Sequence, residues 1–328
     1  MGGIRPRVLI LATGGTISGE ADDRSVMAYN AGAVSGEALS AAVPGLRKLA
    51  LLKVEQISNI ASQNMNAQIW FHLAERIESA VEADEVDAIV ITHGTDTMEE
   101  TAFFLSCVLT SRKPVIMTGA MRPSTAISAD GPSNLYQAVK VASAPVSQGR
   151  GVMIVMNGVI HSARRVVKTD TTSLQTFQSR NGGEIGFVDM ADVRFLERPP
   201  VIRPFPLPTE NKLPDVRIIY AYAGMDACQI DEAINAGVVG LVIAGMGDGN
   251  MPDMVLERLD RAVEAGIIVV RSSRVERGFV HRNIEIDDDK HKFIVSCDLG
   301  PQKARILLQL LICGHVKDKV TIQHAFEP

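Results

Sequence analysis

The sequence predicts an α/β protein with two open, mostly parallel sheet domains, a larger N-terminal one and a smaller C-terminal one. Three observations lead to this fold class. The 328 residues exceed what one hydrophobic core usually serves. Short apolar, β-branched runs alternate with patterns of helical length, as in β–α–β units. Six prolines then fall in a short stretch that begins at Pro199, which indicates a linker between domains.

The N-terminal domain is expected over residues 1–196. Its nearly all-apolar runs suit strands that are buried on both faces of a parallel sheet. The predicted strands are Val8–Ala12, Ala88–Thr92, Val115–Thr118 and Val152–Met156. The predicted helices are Gly36–Ala42, Ala67–Val81, Glu99–Leu109 and Gly131–Ala142. Asp130 is a candidate N-cap for the last of these helices.

Residues 197–215 are the predicted linker, and residues 216–328 are the predicted C-terminal domain. Its predicted strands are Val216–Tyr222, Val238–Ala244 and Ile267–Arg271. Its predicted helices are Asp226–Asn235, Pro252–Ala265 and Pro301–Ile312. Open parallel sheets bind ligands at the carboxyl ends of their strands. The polar turns that follow the predicted strands are therefore the candidate functional segments.

Composition excludes several classes of function. The net charge is −5 and no basic run occurs, which argues against nucleic acid as a partner. The longest apolar stretches are too short and too often broken by glycine to span a membrane. The N-terminus has no apolar signal core, so the chain as written is expected to be cytoplasmic; a periplasmic form whose leader had been removed would look the same. We expect the four widely spaced cysteines to be buried thiols.

The first candidate segment is Thr13-Gly14-Gly15-Thr16, directly after the first predicted strand. Glycines let backbone N–H groups approach an anion closely, and a hydroxyl held there can attack a carbonyl carbon. A tight turn with a threonine N-cap explains the same pattern equally well. The segment is not a phosphate-binding P-loop, because no Gly-Lys-Ser/Thr follows it.

The second candidate segment follows the strand Ala88–Thr92 and includes His93, Thr95 and Asp96. Thr97 and Glu100 have the spacing of a capping box for the next helix, which would explain Thr97 but not Thr95 or Asp96. His93 alone is better explained as a hydrogen-bonded structural histidine than as a catalytic base.

Three further features have weaker signals. Lys168 could take a proton from a threonine hydroxyl if it lay beside Thr95 and Asp96, but no argument from the sequence alone brings the three together. The run from Gly245 to Asn250 lacks the spacing of a dinucleotide-binding motif, so it is either a loop that lines a ligand site or a plain glycine turn. The seven histidines are scattered without an HExxH motif, so the sequence gives little support to metal chemistry.

Taken together, these segments resemble the bacterial L-asparaginases, most closely the type II subgroup of the asparaginase/glutaminase family, over nearly the whole chain. The resemblance implies hydrolysis of L-asparagine to L-aspartate and ammonia, without cofactor or metal. The motifs that carry it are Leu11–Ile17, Ile60–Asn66, Ile91–Thr101, Gly119–Ser124 and Pro301–Arg305.

The resemblance also implies roles for individual residues. Thr16 corresponds to the nucleophile that attacks the side-chain amide carbon. Tyr29, in a segment that corresponds to a mobile lid, corresponds to the tyrosine that helps to activate it. Thr95, Asp96 and Lys168 correspond to a second catalytic constellation, in which Lys168 binds or deprotonates Thr95.

The implied substrate-binding residues are Ser62, Gln63, Asp96, Ala120, Asp248 and Glu285. Asp248 and Glu285 match positions that reach into the site of a neighbouring subunit, because members of this family are homotetramers built from pairs of tight dimers. The family often has asparagine where this chain has Asp248.

Three alternatives stay open. The first is a glutaminase-asparaginase of mixed specificity. Gln63 stands where strong glutaminases tend to carry glutamate, so we expect asparagine to be preferred over glutamine. The second is a catalytically silent amino-acid-binding protein on the same scaffold. The third is a nucleotide-dependent α/β enzyme, and the missing phosphate loop argues against it.

Overall fold

The computed structural model describes residues 5–21, 29–30, 35–199 and 204–328. The chain forms two compact units, Met1–Pro204 and Phe205–Pro328. Each unit contains its own open sheet, mostly parallel in the first and fully parallel in the second. The predicted fold class is therefore confirmed. Within those ranges, no helix is both long enough and apolar enough to cross a membrane.

An eight-stranded sheet forms the centre of the N-terminal unit. Its parallel strands are β1 (Arg7–Gly14), β4 (Leu51–Ile60), β5 (Ala88–Thr92), β6 (Val115–Thr118) and β7 (Val152–Met156). Its antiparallel strands are β8 (Val159–Ser162), β11 (Gly186–Val188) and β12 (Val193–Phe195). Two-stranded ribbons pair β2 (Glu20–Ala21) with β3 (Tyr29–Asn30) and β9 (Val166–Lys168) with β10 (Phe177–Ser179). The strand order across the large sheet is β12-β11-β8-β7-β6-β5-β1-β4.

Helices cover both faces of this sheet. They are α1 (Gly36–Ala41), α2 (Leu46–Leu49), α3 (Ala67–Glu82), α4 (Met98–Val108) and α5 (Gly131–Ser143). Helix α5 packs on the face to which Val8 and Val90 point. Their neighbours Leu9 and Ile91 are equally buried and point to the opposite face, because side chains alternate along a strand. The apolar runs of the sequence are continuous because both faces are covered.

The C-terminal unit has four parallel strands in the order β13-β14-β15-β16. They are β13 (Val216–Tyr220), β14 (Gly240–Gly245), β15 (Ile268–Ser273) and β16 (Ile294–Val295). The helices of this unit are α6 (Cys228–Asn235), α7 (Asp253–Glu264), α8 (Asp288–His291), α9 (Pro301–Cys313) and α10 (Lys319–Phe326). Leu241 and Val269 from the sheet pack with Ile230 and Leu259 from the helices to form an apolar core.

The expectation of four buried thiols is wrong. Cys107 is buried in α4, but Cys228 is exposed, and Cys297 and Cys313 are only partly buried. Cys228 begins α6 at the surface, where its backbone N–H donates to the Asp226 carboxylate. The tendency of cysteine to be buried is an average over proteins, and position within an element decides the individual case.

Candidate active site

A glycine turn at the end of β1 brings two strand-end loops into contact. Gly14 and Gly15 both have positive φ, +102° and +82°. A Cβ atom on Gly15 would lie 2.4 Å from the Cα of Gly94, in the loop after β5. Only a hydrogen atom fits between Gly15 and Gly94, so the main chains of the two loops touch. Thr16 follows Gly15 and Thr95 follows Gly94, and the two threonines therefore lie on touching loops. Thr16 begins a short 3-10 helix and is 7% exposed.

We expect Gly15→Ala to destabilise the N-terminal unit by about 2–4 kcal/mol, because the methyl group would add a steric clash to a strained φ. Gly183→Ala is the matched control: Gly183 also has positive φ (+76°), but nothing lies within 4 Å of the added carbon. The control should lose only about 1 kcal/mol. Urea unfolding measures both, and equal losses in the two variants would contradict the close approach.

The sequence suggested that the Gly14-Gly15 turn could supply free backbone donors. The backbone N–H of Gly15 does not serve this purpose, because it donates to the carbonyl of Ile60 at 2.9 Å. This bond ties the turn to the end of β4 instead. The Thr13 hydroxyl is likewise engaged and donates to the carbonyl of Thr92 at 2.9 Å.

Ser62 connects the segment after β4 to the segment after β5. Its hydroxyl accepts a hydrogen bond from the backbone N–H of Asp96 at 3.2 Å, and its carbonyl accepts one from the Thr97 hydroxyl at 2.7 Å. The capping-box interpretation of Thr97 is therefore wrong: Thr97 occupies the N-cap position of α4, but its side chain makes no capping bond. Its hydroxyl binds Ser62 instead. Gln63, the next residue, is exposed.

Lys168 contacts Thr95 and Asp96, the two polar residues that the capping-box pattern did not explain. Its Nζ donates to Oγ1 of Thr95 at 2.9 Å and to Oδ1 of Asp96 at 2.6 Å. The Lys168 side chain is 18% exposed and that of Asp96 is 58% exposed. The amine is thus shielded from water beside a hydroxyl, while the carboxylate stays accessible to a ligand. The structure joins three residues that the sequence could not bring together.

Glu99 is a residue that sequence reasoning missed. Its carboxylate accepts a hydrogen bond from the backbone N–H of Lys168 and so anchors β9 to the start of α4. In the sequence, a glutamate in the first turn of a helix is explained by the helix dipole alone. Only the contact with Lys168 reveals its second role in the structure.

His93 is completely buried and hydrogen-bonded on both ring nitrogens, as the sequence suggested for a structural histidine. Nδ1 faces the carbonyl of Gly94 at 2.7 Å and must carry the proton. Nε2 then accepts from the Thr101 hydroxyl at 2.9 Å, and that hydroxyl accepts from Nε1–H of Trp70 at 2.8 Å. Burial lowers the pKa of His93 to about 4, although the bond to Gly94 opposes the shift.

This pKa predicts a pH-dependent stability. The unfolded histidine binds a proton below about pH 6.5, but the folded one does so only below about pH 4. As pH falls through that interval the unfolded state gains protons that the folded state cannot bind. His93 should therefore remove up to about 3 kcal/mol from the free energy of unfolding between pH 6.5 and pH 4. Urea unfolding of His93→Gln should show a shallower loss over this interval, and a slope equal to that of the wild type would contradict the assignment.

The loop after β6 lies against the loop after β5. A Cβ atom on Gly119 would lie 2.5 Å from the carbonyl oxygen of His93. Ala120 itself is fully buried and belongs to the apolar core. Asp130 is at the N-cap position of α5 without capping it, and its carboxylate instead accepts from the backbone N–H groups of Met121 and Arg122 at 3.0 and 2.9 Å.

The structure describes only the backbone of Tyr29. This backbone pairs with Ala21 in the ribbon of β2 and β3. Its side chain, and most of the segment that the sequence predicted to be a lid, lie outside the described residues. The N-terminal unit therefore joins Ser62, Thr95, Asp96 and Lys168 through hydrogen bonds, and Gln63 follows Ser62 in the chain. The loop that contains Thr16 packs against the loop that contains Thr95.

In the C-terminal unit, Asp248 and Glu285 belong to neighbouring loops. The Asp248 carboxylate accepts from the backbone N–H of His281 at 2.8 Å and lies 2.9 Å from its Nδ1. The side-chain amide of Asn250 donates to the Glu285 carboxylate. The run from Gly245 to Asn250 is a tight loop closed by reciprocal backbone bonds between Met246 and Asn250.

A buried ion pair supports these loops. Arg271 and Asp288 are 1% and 0% exposed and form two hydrogen bonds of 2.8 Å. Arg271 also donates to the carbonyls of Asp248 and His281 at 2.6 and 2.7 Å. A planar guanidinium can make all of these bonds at once, which a lysine could not. Asp248 is therefore held rigidly by both its carbonyl and its carboxylate.

Comparison with known proteins covers both units. The model of the asparaginase N-terminal domain matches residues 7–201, and that of the glutaminase/asparaginase C-terminal domain matches residues 215–326. A probable periplasmic L-asparaginase from Haemophilus influenzae is 46% identical over 98% of this chain and 93% of its own length. A glutaminase-asparaginase from Pseudomonas fluorescens is 40% identical over 97% of this chain and 89% of its own.

Among solved structures, a probable cytoplasmic L-asparaginase from Campylobacter jejuni superposes with a TM-score of 0.93 at 41% identity. The match covers 98% of this chain and 99% of that one. The sequence matches and the shared fold agree over nearly the full length of the chain. The chain therefore belongs to the asparaginase family.

Proposed function

We propose that this protein is an L-asparagine amidohydrolase that produces L-aspartate and ammonia through a threonine nucleophile. The observation that carries the proposal is the contact of Lys168 with Thr95 and Asp96. The loop that contains Thr95 and Asp96 touches the glycine turn before Thr16. An amide is a poor electrophile with a poor leaving group, so its hydrolysis needs an activated nucleophile and a proton donor. A shielded lysine bonded to a threonine hydroxyl supports both requirements.

In the proposed reaction, the Thr16 hydroxyl attacks the side-chain amide carbon of asparagine. The C–N bond breaks as the nitrogen gains a proton, ammonia leaves, and an aspartyl ester on Thr16 remains. Water then attacks the ester, releases L-aspartate and restores the hydroxyl. Thr95 and Lys168 would relay the protons, and Tyr29 would help to activate Thr16, as the family resemblance implies.

The α-amino and α-carboxylate groups of the substrate would be bound by Asp96, Ser62 and Gln63. Asp96 supports this role because one of its oxygens binds Lys168 while its side chain remains 58% exposed. A second anionic oxygen is thus available to an ammonium group. Ala120 would contribute through the position of its loop, since its own surface is buried.

The test of this function is ammonia release from L-asparagine and L-glutamine by the purified protein, measured side by side. We expect kcat/KM to be higher for asparagine, because Gln63 stands where strong glutaminases tend to carry glutamate. The relative from Pseudomonas fluorescens supports the second candidate, a glutaminase-asparaginase, and equal kcat/KM values would favour it. No ammonia from either amide, with asparagine still raising the Tm, would favour the silent amino-acid-binding protein.

For assembly, we propose a homotetramer in which Asp248 and Glu285 of one subunit complete the site of a neighbour. The test is subunit complementation after the oligomeric state has been measured by light scattering. Thr16→Ala and Glu285→Gln should each be inactive alone. Mixed and reassembled, they should regain part of the activity, because some sites would combine an intact Thr16 with an intact neighbouring Glu285. A mixture that stays inactive although the subunits exchange would contradict shared sites.

For location, we propose the cytoplasm, because all four cysteines are free thiols, as suits a reducing compartment. The relative from Haemophilus influenzae is named as periplasmic. Fractionation of the native host decides between the two compartments, and recovery of the protein in the periplasmic fraction would overturn the proposal.

A further inference from the structure

The N-terminal unit contains a cavity of about 410 Å³ that the proposed reaction does not use. Its lining includes Val115 and Val152, the first residues of β6 and β7. Thr16 and Thr95, by contrast, follow the carboxyl ends of β1 and β5. Strands of four or five residues separate the two edges of a sheet by roughly 12–16 Å. The cavity is therefore distinct from the candidate active site.

Among the described residues that line this cavity, every charged side chain is cationic: Arg112, Lys113, Arg150, Arg164 and Arg198. Lys113 is neutralised locally, because its ammonium group lies 2.9 Å from the Asp84 carboxylate. The carboxylate nearest in sequence to Arg198 is Glu197, which pairs with Arg165 instead. The cavity thus has an excess of positive charge in a chain whose net charge is −5.

Three of these guanidinium groups have hydrogen-bonding capacity to spare. Arg112 and Arg198 form no side-chain hydrogen bond or ion pair with any residue in the described ranges. Among the described residues, Arg150 donates only to two backbone carbonyls, each at 2.7 Å, and its guanidinium lies over the ring of Phe195 at 3.9 Å. Burial and the nearby charge of Arg198 lower the pKa of Arg150. A guanidinium has five N–H donors, so most of the donors of Arg112, Arg150 and Arg198 remain available to a ligand.

Ser162 provides an independent indication of a ligand. It lines the same cavity, is 2% exposed, and its hydroxyl has no hydrogen-bond partner among the described residues. Buried hydroxyls in folded proteins are nearly always hydrogen-bonded. A hydroxyl without an acceptor, in the same cavity as the guanidinium groups of Arg112, Arg150 and Arg198, is the arrangement expected where an oxyanion binds.

We propose that this cavity binds a multivalent oxyanion, one that carries phosphate or clustered carboxylate groups. Arg112, Arg150 and Arg198 would supply the counter-charges, and the Ser162 hydroxyl would supply a donor. Guanidinium groups recognise both phosphate and carboxylate through paired N–H···O bonds, and several arginines around one cavity favour ligands with more than one negative charge.

The test is isothermal titration of the full-length protein at low ionic strength with two probes, inorganic pyrophosphate and citrate. We expect at least one to bind with a Kd of about 1 mM or tighter. Binding of pyrophosphate alone identifies a phosphate ligand, and preference for citrate identifies a carboxylate ligand. No binding of either probe at 10 times that concentration, about 10 mM, would overturn the proposal.

Variants locate the binding. The double variant Arg112→Gln/Arg198→Gln should weaken binding of the probe by about tenfold or more, while ammonia release from asparagine stays unchanged. Arg47→Gln, an exposed arginine on α2, is the matched control and should bind as the wild type does. Ser162→Ala should also weaken binding of the probe without lowering the Tm. Replacement of a serine with a purely structural role would not give this combination. Wild-type affinity in the double variant would place the anion elsewhere and overturn the proposal.

Discussion

Thr16→Ala and Thr95→Ala are each expected to lower kcat/KM for L-asparagine by about 10³-fold or more, since residues that act as a catalytic unit fail together. The proposed reaction needs the Thr16 oxygen to form the ester and the Thr95 hydroxyl to pass protons to and from Lys168. Thr95 is 5% exposed and Thr16 is 7% exposed, so water cannot readily replace either hydroxyl. The measurement is steady-state ammonia release by each variant beside the wild type.

Two controls separate chemistry from folding in that experiment. Thr110→Val removes a hydroxyl from an exposed threonine that binds Glu78, and it should leave ammonia release unchanged. Thr95→Ser restores the hydroxyl without the methyl group and should recover most of the lost activity. A Thr95→Ala variant that keeps more than about a tenth of the wild-type kcat/KM would remove Thr95 from the mechanism.

Lys168→Met is expected to lower kcat by about 10²–10⁴-fold, the range that proton transfer by a positioned side chain contributes. Methionine has a similar length but neither charge nor proton-accepting nitrogen. The backbone N–H of Lys168 would still donate to Glu99, so β9 should keep its place. The loss of the ion pair with the half-exposed Asp96 should change the free energy of unfolding by only about 1 kcal/mol or less.

Lys168→Arg distinguishes a proton acceptor from a positive charge. Arginine keeps the charge near Asp96 but does not lose its proton in proteins. The proposed relay predicts that Lys168→Arg is nearly as inactive as Lys168→Met. Substantial activity in Lys168→Arg would show that only the charge is needed. Lys53→Met, at an exposed lysine paired with Glu55, is the matched control and should retain wild-type activity.

The sequence predicted the buried elements well because burial on both faces leaves a clear pattern. Each strand and helix that it predicted begins and ends within two residues of an observed one. The elements it missed lie at the surface or are short. Strand β4 is at the sheet edge and is exposed or partly buried along its length, so Lys53, Glu55 and Gln56 interrupt its apolar pattern.

One missed element had a usable signal. Asn157 and Gly158 join β7 to β8, and both have positive φ, 49° and 80°. An Asn-Gly pair between two apolar runs is a strong indicator of a two-residue hairpin. The run from Val159 to Ser162 could therefore have been predicted as a strand that pairs antiparallel with β7.

The candidate site was only partly predictable for a different reason. The segments around Thr16 and Thr95 follow parallel strands, so the fold class alone places them at one edge of the sheet. Lys168 is 73 residues from Thr95 and lies on a short ribbon strand that the sequence did not indicate. Thr97 has a capping-box spacing, yet its hydroxyl binds Ser62, because a tertiary contact competes with the local bond.

The most direct test of the central claim is to trap the covalent intermediate. The wild-type protein is mixed with L-asparagine, quenched in acid during the first turnovers, digested and examined by mass spectrometry. The proposed mechanism predicts an aspartyl ester on the peptide that contains Thr16, and release of ammonia before aspartate. An ester on Thr95 instead, or simultaneous release of ammonia and aspartate with no modified residue, would contradict it.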